Sequence, residues 1–153
     1  PPSVDKQKIT DFARSGIEER DRPLPPGRLR TAGEENPVRI DSENWIKTSI
    51  EYEDEELSRL GSVVTNLGYS DWATQDISSK HTAMWYRISR RSQDFRIEAS
   101  LDGECWKQLR IAHLHKASNA IAAGMYACSP VGGDFQCRFI HFTCGPNTWS
   151  AEE

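Results

Sequence analysis

Across most of the chain, apolar and polar side chains alternate with a period of two. In Trp45-Ile46-Lys47-Thr48-Ser49-Ile50-Glu51-Tyr52, one face carries Ile46, Thr48, Ile50 and Tyr52. The other face carries Trp45, Lys47, Ser49 and Glu51, as an extended strand requires. Ser62-Val63-Val64-Thr65-Asn66 is a β-branched run closed by Gly68. Met84, Tyr86 and Ile88 alternate with Trp85, Arg87 and Ser89, and Phe95, Ile97 and Ala99 alternate with Arg96, Glu98 and Ser100. Asp102-Gly103 supplies the turn of a tight hairpin. Segments 105–111, 121–128 and 135–143 complete a set of about seven strands bounded by Gly, Pro, Asp or Asn. From residue 37 onward, helical character is confined to 112–123, where Ser118-Asn119 interrupts it. The expected fold class is all-β: an antiparallel sandwich or jelly roll.

Residues 1–36 read differently. They hold 14 charged residues, five prolines and a single aromatic, Phe12. So little apolar surface does not offset the entropy of ordering the segment. Pro23-Leu24-Pro25-Pro26-Gly27 reads as an extended linker. Ile9, Phe12, Ala13 and Ile17 share a helical face, which predicts a short, frayed amphipathic helix over 5–20. The expected division is a polar tail over 1–36, a β-sandwich over 37–145 and a short tail over 146–153.

Composition narrows the functional classes. The net charge of −4 over 153 residues gives no electrostatic reason to expect nucleic acid or an anionic membrane surface as partner. No apolar run approaches the roughly 20 residues needed to cross a bilayer. Cys105, Cys128, Cys137 and Cys144 form no close pair of the kind structural zinc sites use, and mostly buried free thiols in a reducing, cytoplasmic setting are expected. A Cys137–Cys144 disulfide is the minor alternative. His113 and His115 lack a third ligand near in sequence, so they read as polar loop histidines; neither a metal nor a cofactor is expected.

Phosphate loops and serine-hydrolase elbows are absent from the sequence. Glycoside hydrolysis needs two carboxyl groups flanking the bond, one with a raised pKa. Glu51, Glu53, Glu98 and Asp102 are the available acids, while Asp54-Glu55-Glu56 reads as an acidic turn. Two acids on one strand do not reach across a sugar, so no catalytic residue is assigned. Ser100-Leu101-Asp102-Gly103-Glu104-Cys105-Trp106 reads as a stabilised turn, with Trp106 packed over the hairpin.

The strand face with Trp45, Lys47 and Glu51 is costly to bury unpaired and is expected to be open or to line a groove. Ser70-Asp71-Trp72, read as loop, adds an acid beside an aromatic, and Arg87, Arg90 and Arg110 supply guanidinium groups. Aromatic platforms flanked by charges suit sugars, whose CH faces stack on rings while their hydroxyls bond to charged groups. A solvated face with ion pairs is the competing reading. The candidate ligand site is Trp45, Lys47, Glu51, Asp71, Trp72, Arg90 and Arg110.

Several motifs in order resemble the domain of unknown function 1349. They are the Trp45–Glu51 strand, Ser62–Asn66, Ser70-Asp71-Trp72, Tyr86-Arg87-Ile88-Ser89-Arg90, the Ser100–Trp106 turn, Leu109-Arg110, Gly124-Met125-Tyr126-Ala127-Cys128-Ser129-Pro130 and the closing Phe135–Phe142 stretch. The resemblance covers about residues 38–145. It implies a jelly roll of the concanavalin A-like lectin/glucanase superfamily, with a groove on the concave sheet, in a mostly cytosolic group that includes an enolase regulator and has no established enzymatic activity. The Glu-x-Asp-x-x-Glu pattern of the glucanases is not met by Glu51-Tyr52-Glu53-Asp54-Glu55-Glu56. Family members carry further strands before the Trp-Ile-Lys strand, of which Val38-Arg39-Ile40-Asp41 retains a trace. The sandwich is therefore expected to be incomplete and the chain, which opens on Pro1 and not Met, truncated. Exposed edges would then permit self-association. The expected function is non-catalytic binding of a carbohydrate, with regulation of carbohydrate metabolism through a metabolic protein as the alternative.

Overall fold

A computed structural model of the chain describes residues 34–117, 120–128, 136–147 and 149. The predicted helix over 5–20 and the Pro23–Gly27 linker lie outside them. The described residues form nine strands and no helix: β1 (Glu34–Arg39), β2 (Trp45–Tyr52), β3 (Leu57–Asn66), β4 (Tyr69–Ser78), β5 (Trp85–Arg91), β6 (Asp94–Ser100), β7 (Lys107–His113), β8 (Ala122–Ala123) and β9 (Tyr126–Ala127). They make two antiparallel sheets. The larger runs β4-β3-β2-β1-β8 with β9 also on β1, and the smaller runs β5-β6-β7.

The alternating pattern decides how the sheets meet. Val38, Ile46 and Val64 stand side by side across β1, β2 and β3 and share one face of the larger sheet. They pack against Phe95, Ile97, Ala112 and Leu114 of the smaller sheet and the turn after β7. Burying an Ile or Phe side chain fully contributes about 1.5–3 kcal/mol, so this seam is the main apolar contribution to the sandwich. Ile46, Phe95, Ile97 and Leu114 are completely buried.

Four local expectations are corrected. Ser70-Asp71-Trp72 is not loop but the start of β4, joined to β3 through Leu67 and Gly68, both at positive φ (53° and 83°) as the primed hairpin turns require. The described residues of 112–123 form no helix: β7 runs on to His113, and β8 begins at Ala122. Residues 136–143 form no strand, and Ile140 and Phe142 stay exposed, so their apolar alternation has no core to face. The connection from β6 to β7 spans 101–106 and is not a tight hairpin.

In that connection Asp102 Oδ1 accepts from the N–H groups of Glu104 and Cys105 at 2.8 and 2.7 Å and from Ser100 Oγ at 2.8 Å. Gly103 has φ 77°, and a Cβ there would lie 3.3 Å from Trp85 Nε1, so the Trp85 ring lies beside the turn. Asp54 behaves as an acidic turn: its Oδ1 accepts from the N–H groups of Glu56 and Leu57, both at 2.8 Å. No disulfide joins the four cysteines; Cys105 and Cys144 are exposed and Cys128 and Cys137 half-buried, against the expectation of burial.

Candidate functional site

Cross-strand register places each candidate residue on a face. Directly opposed residues share a face, so the row Lys47–Val63–Trp72 lies on the outer side of the larger sheet, opposite the core row Val38–Ile46–Val64–Asp71. Trp45, Lys47, Glu51 and Trp72 therefore share the outer face. Lys47 and Trp72 flank Val63 from strands two apart, roughly 10 Å between backbones.

Glu51 is organised from its own strand. Lys47 Nζ lies 3.4 Å from Glu51 Oε1, and Ser49 Oγ donates to the same oxygen at 3.0 Å. Trp72 is 62% exposed. Its indole leans over Gly61, whose missing side chain makes room: a Cβ would meet Trp72 Nε1 at 3.4 Å and the Ala73 carbonyl oxygen at 2.9 Å. Further along this face Arg59 pairs with Glu53 at 3.1 Å and with Asp76. The bond from Glu53 holds the Arg59 guanidinium even more firmly protonated than usual. The outer face is thus a polar strip of paired charges with one exposed indole beside it.

The remaining three candidates are not on that face. Asp71 points to the inner side of β4, which overhangs the smaller sheet, and its Oδ2 accepts from Arg110 Nη2 at 3.0 Å. Arg110 also faces inward, because the unbroken register from Phe95–Ala112 to Ile97–Arg110 sets it opposite the buried Ile97, in phase with Ala112. The pair bridges the two sheets. Arg90 belongs to β5; its Nε donates to Ser92 O at 2.7 Å across the β5–β6 turn, and its guanidinium lies 5.7 Å from the Phe95 ring.

Two clusters on the outer side of the smaller sheet were not anticipated. Glu98, 7% exposed, accepts two bonds from Arg87, Nε to Oε2 at 2.7 Å and Nη2 to Oε1 at 2.8 Å, with Arg96 Nε at 3.5 Å. The Arg87 hydrogen bond holds the Glu98 carboxyl below its usual range despite burial. Arg87 also stacks on Trp106, 4.4 Å from the ring centroid. Trp149 is buried between Arg91 at 4.4 Å and Arg96 at 5.5 Å. Asn147 holds it there, donating to Arg90 O at 2.7 Å and accepting from Trp149 N–H at 3.0 Å. The alternation of Arg87 and Glu98 signalled their faces, but nothing local signalled Trp149.

Histidines 113 and 115 lie at the end of β7. His113 Nδ1 is 2.7 Å from Asp94 Oδ1, and the two imidazoles meet edge to face at 4.9 Å. Among the described residues no three His, Cys, Asp or Glu side chains converge as metal ligands.

Residues 37–147 match the model of a family described as protein of unknown function, DUF1349. The chain belongs to this family. A curated relative is regulation of enolase protein 1 of Saccharomyces cerevisiae, 34% identical over 106 residues, which cover 69% of this chain and 52% of that protein. A crystal structure of a functionally unknown protein from Saccharomyces cerevisiae matches with a TM-score of 0.58 and 30% identity, covering 68% of this chain and 55% of that one. The chain thus spans about half the length of these two relatives. Among the described residues no helix is long and apolar enough to cross a membrane.

Proposed function

We propose that this DUF1349 chain is a non-catalytic binding module whose ligand face is the outer side of the larger sheet, and that the ligand is a carbohydrate. The observation that carries the reading is Trp72: a large indole left exposed on an edge strand, seated over Gly61 beside the Lys47–Ser49–Glu51 group. A sugar ring stacks its CH face on such an indole, and the neighbouring charges bond its hydroxyls. The proposed contacts are Trp45, Lys47, Glu51 and Trp72. Asp71 and Arg110 act as the sheet-to-sheet brace, and Arg90 supports the β5–β6 turn.

Two of the four candidate acids are in a state that disfavours hydrolysis. A glycosidase needs a carboxyl with a raised pKa, whereas Glu98 and Asp102 are both held below their usual range, Glu98 by Arg87 and Asp102 by the Cys105 and Glu104 N–H groups. The proposed architecture is a concanavalin A-like jelly roll in a cytoplasmic protein.

A second reading is favoured by the yeast relative's name: regulation of carbohydrate metabolism by binding a metabolic enzyme such as enolase. A glycan array separates the two. Binding by the parent chain that is lost in Trp72→Ala and Trp45→Ala supports the carbohydrate face, and binding unchanged in both variants refutes the site. No glycan signal, with retention of the chain on immobilised enolase, supports the second reading.

A further inference from the structure

The edge of the larger sheet at β4 is unlike the other edges of the sandwich. All ten residues of Tyr69–Ser78 are paired with β3 in unbroken register, and no described strand pairs with the other side. Alternate residues of an antiparallel strand turn their N–H and C=O groups away from the neighbour they pair with, so half of β4 presents unpaired backbone groups outward. Every residue of the strand except Ile77 is exposed; Tyr69 is 84% exposed. Such edges are normally blunted by lysine, proline, a bulge or brevity. β8, at the opposite edge, has two residues, β5 carries Arg87, Arg90 and Arg91, and β7 has a bulge and Lys107. β4 has none of these devices. Its only charges, Asp71 and Asp76, are neutralised within the chain by Arg110 and Arg59.

We infer that β4 is a pairing edge for a second copy of this chain, joined antiparallel about a two-fold axis at Ala73. The sequence of the strand is self-complementary in that register. Paired residues must share a face, which requires each residue to meet one whose number differs from it by an even count. With Ala73 opposite its own copy, Trp72 meets Thr74, Asp71 meets Gln75, Ser70 meets Asp76 and Tyr69 meets Ile77. Each carboxylate faces a hydrogen-bond donor, the apolar ends cover one another, and no like charges oppose. Moving the axis to Thr74 sets Trp72 against Asp76 and Asp71 against Ile77; moving it to Trp72 leaves Asp76, Ile77 and Ser78 without partners in the strand. In the Ala73 register the two Trp72 side chains are diagonal neighbours about 7–8 Å apart across the seam. The joined sheet then carries a two-indole shelf on its outer side, a consequence that rests on the ligand face proposed above, whereas the pairing does not.

Strand pairing buries less surface than a standard stable interface, so the dimer forms in about the micromolar range. Sedimentation equilibrium of the full chain from about 1 to 200 μM tests this without any glycan. The expected mass rises from 17.4 kDa towards twice that value. Ala73→Lys, at an exposed position, sets like charges against each other on the axis and weakens association at least tenfold while circular dichroism is unchanged. Ala73→Cys gives a disulfide-linked dimer under mild oxidation, since backbones across a strand pair are about 4.5–5.5 Å apart, within disulfide reach. Ser70→Cys, facing Asp76, does not cross-link above the parent chain's level. A monomer at every concentration, a dimer unaffected by Ala73→Lys, or equal cross-linking through Ser70→Cys overturns the proposal.

Discussion

Glu98→Gln removes one negative charge at nearly constant volume from the outer side of the smaller sheet. The carboxylate receives two charge-assisted bonds from Arg87, at 2.7 and 2.8 Å, and faces Arg96 at 3.5 Å. Bonds of this class contribute about 1.5–3 kcal/mol each. The carboxamide retains one acceptor, so one bond and the charge are lost. Arg87, with a side chain 37% exposed, recovers hydration, whereas the more buried Arg96 loses its counter-ion. The net expected loss is about 2 kcal/mol. Urea unfolding near neutral pH measures it. The pH dependence supplies the control: the folded-state pKa of Glu98 is depressed from 4.5, so the stabilisation is present above that value and lost as pH falls through the folded-state pKa. The gap between parent and variant is expected to be wide near neutral pH and to narrow in acid, as pH falls through the folded-state pKa. A gap under about 0.5 kcal/mol at neutral pH, or one unchanged in acid, refutes the reasoning.

Gly61→Ala puts a methyl group 2.9 Å from the Ala73 carbonyl oxygen, a backbone atom that gives way only if β4 shifts; a loss of about 1–3 kcal/mol is expected, with a change in Trp72 fluorescence that a Gly124→Ala control, in open space, does not show. Asp102→Ala leaves the Glu104 and Cys105 N–H groups without their acceptor and lowers the thermal midpoint. Because the Cys105 and Glu104 N–H bonds depress the Asp102 pKa, that difference is present at neutral pH and fades as pH falls below the ordinary carboxylate value of 3.8; equal midpoints near neutral pH contradict the role assigned to the turn.

The fold class and strands β2, β5 and β6 were legible because their two faces have different environments, so burial wrote a period of two into the sequence. β4 was not legible. Its inner face overhangs the smaller sheet and its outer face is open, so no burial contrast marks Asp71, Ala73 and Gln75 from Trp72, Thr74 and Asp76. Gly68, which tolerates the positive φ the turn adopts, was the available signal for a hairpin there. The candidate site was readable where phase was undisturbed: Trp45, Lys47 and Glu51 share a face as alternation demands. Arg110 follows the same alternation, in phase with the buried Ala112, and so faces inward to Asp71 and away from the outer face. Gly61 and Trp149 act through residues on other strands, a relation that spacing along one strand does not encode.

The central claim is that the exposed indole of Trp72 on the outer side of the larger sheet makes this chain a carbohydrate-binding module. Titrating a glycan positive on the array into the parent chain and into Trp72→Ala, by calorimetry, tests it most directly. The account predicts measurable binding that falls at least tenfold in the variant, with unfolding midpoints unchanged. Equal affinity in the two proteins, or no binding to any glycan, contradicts it.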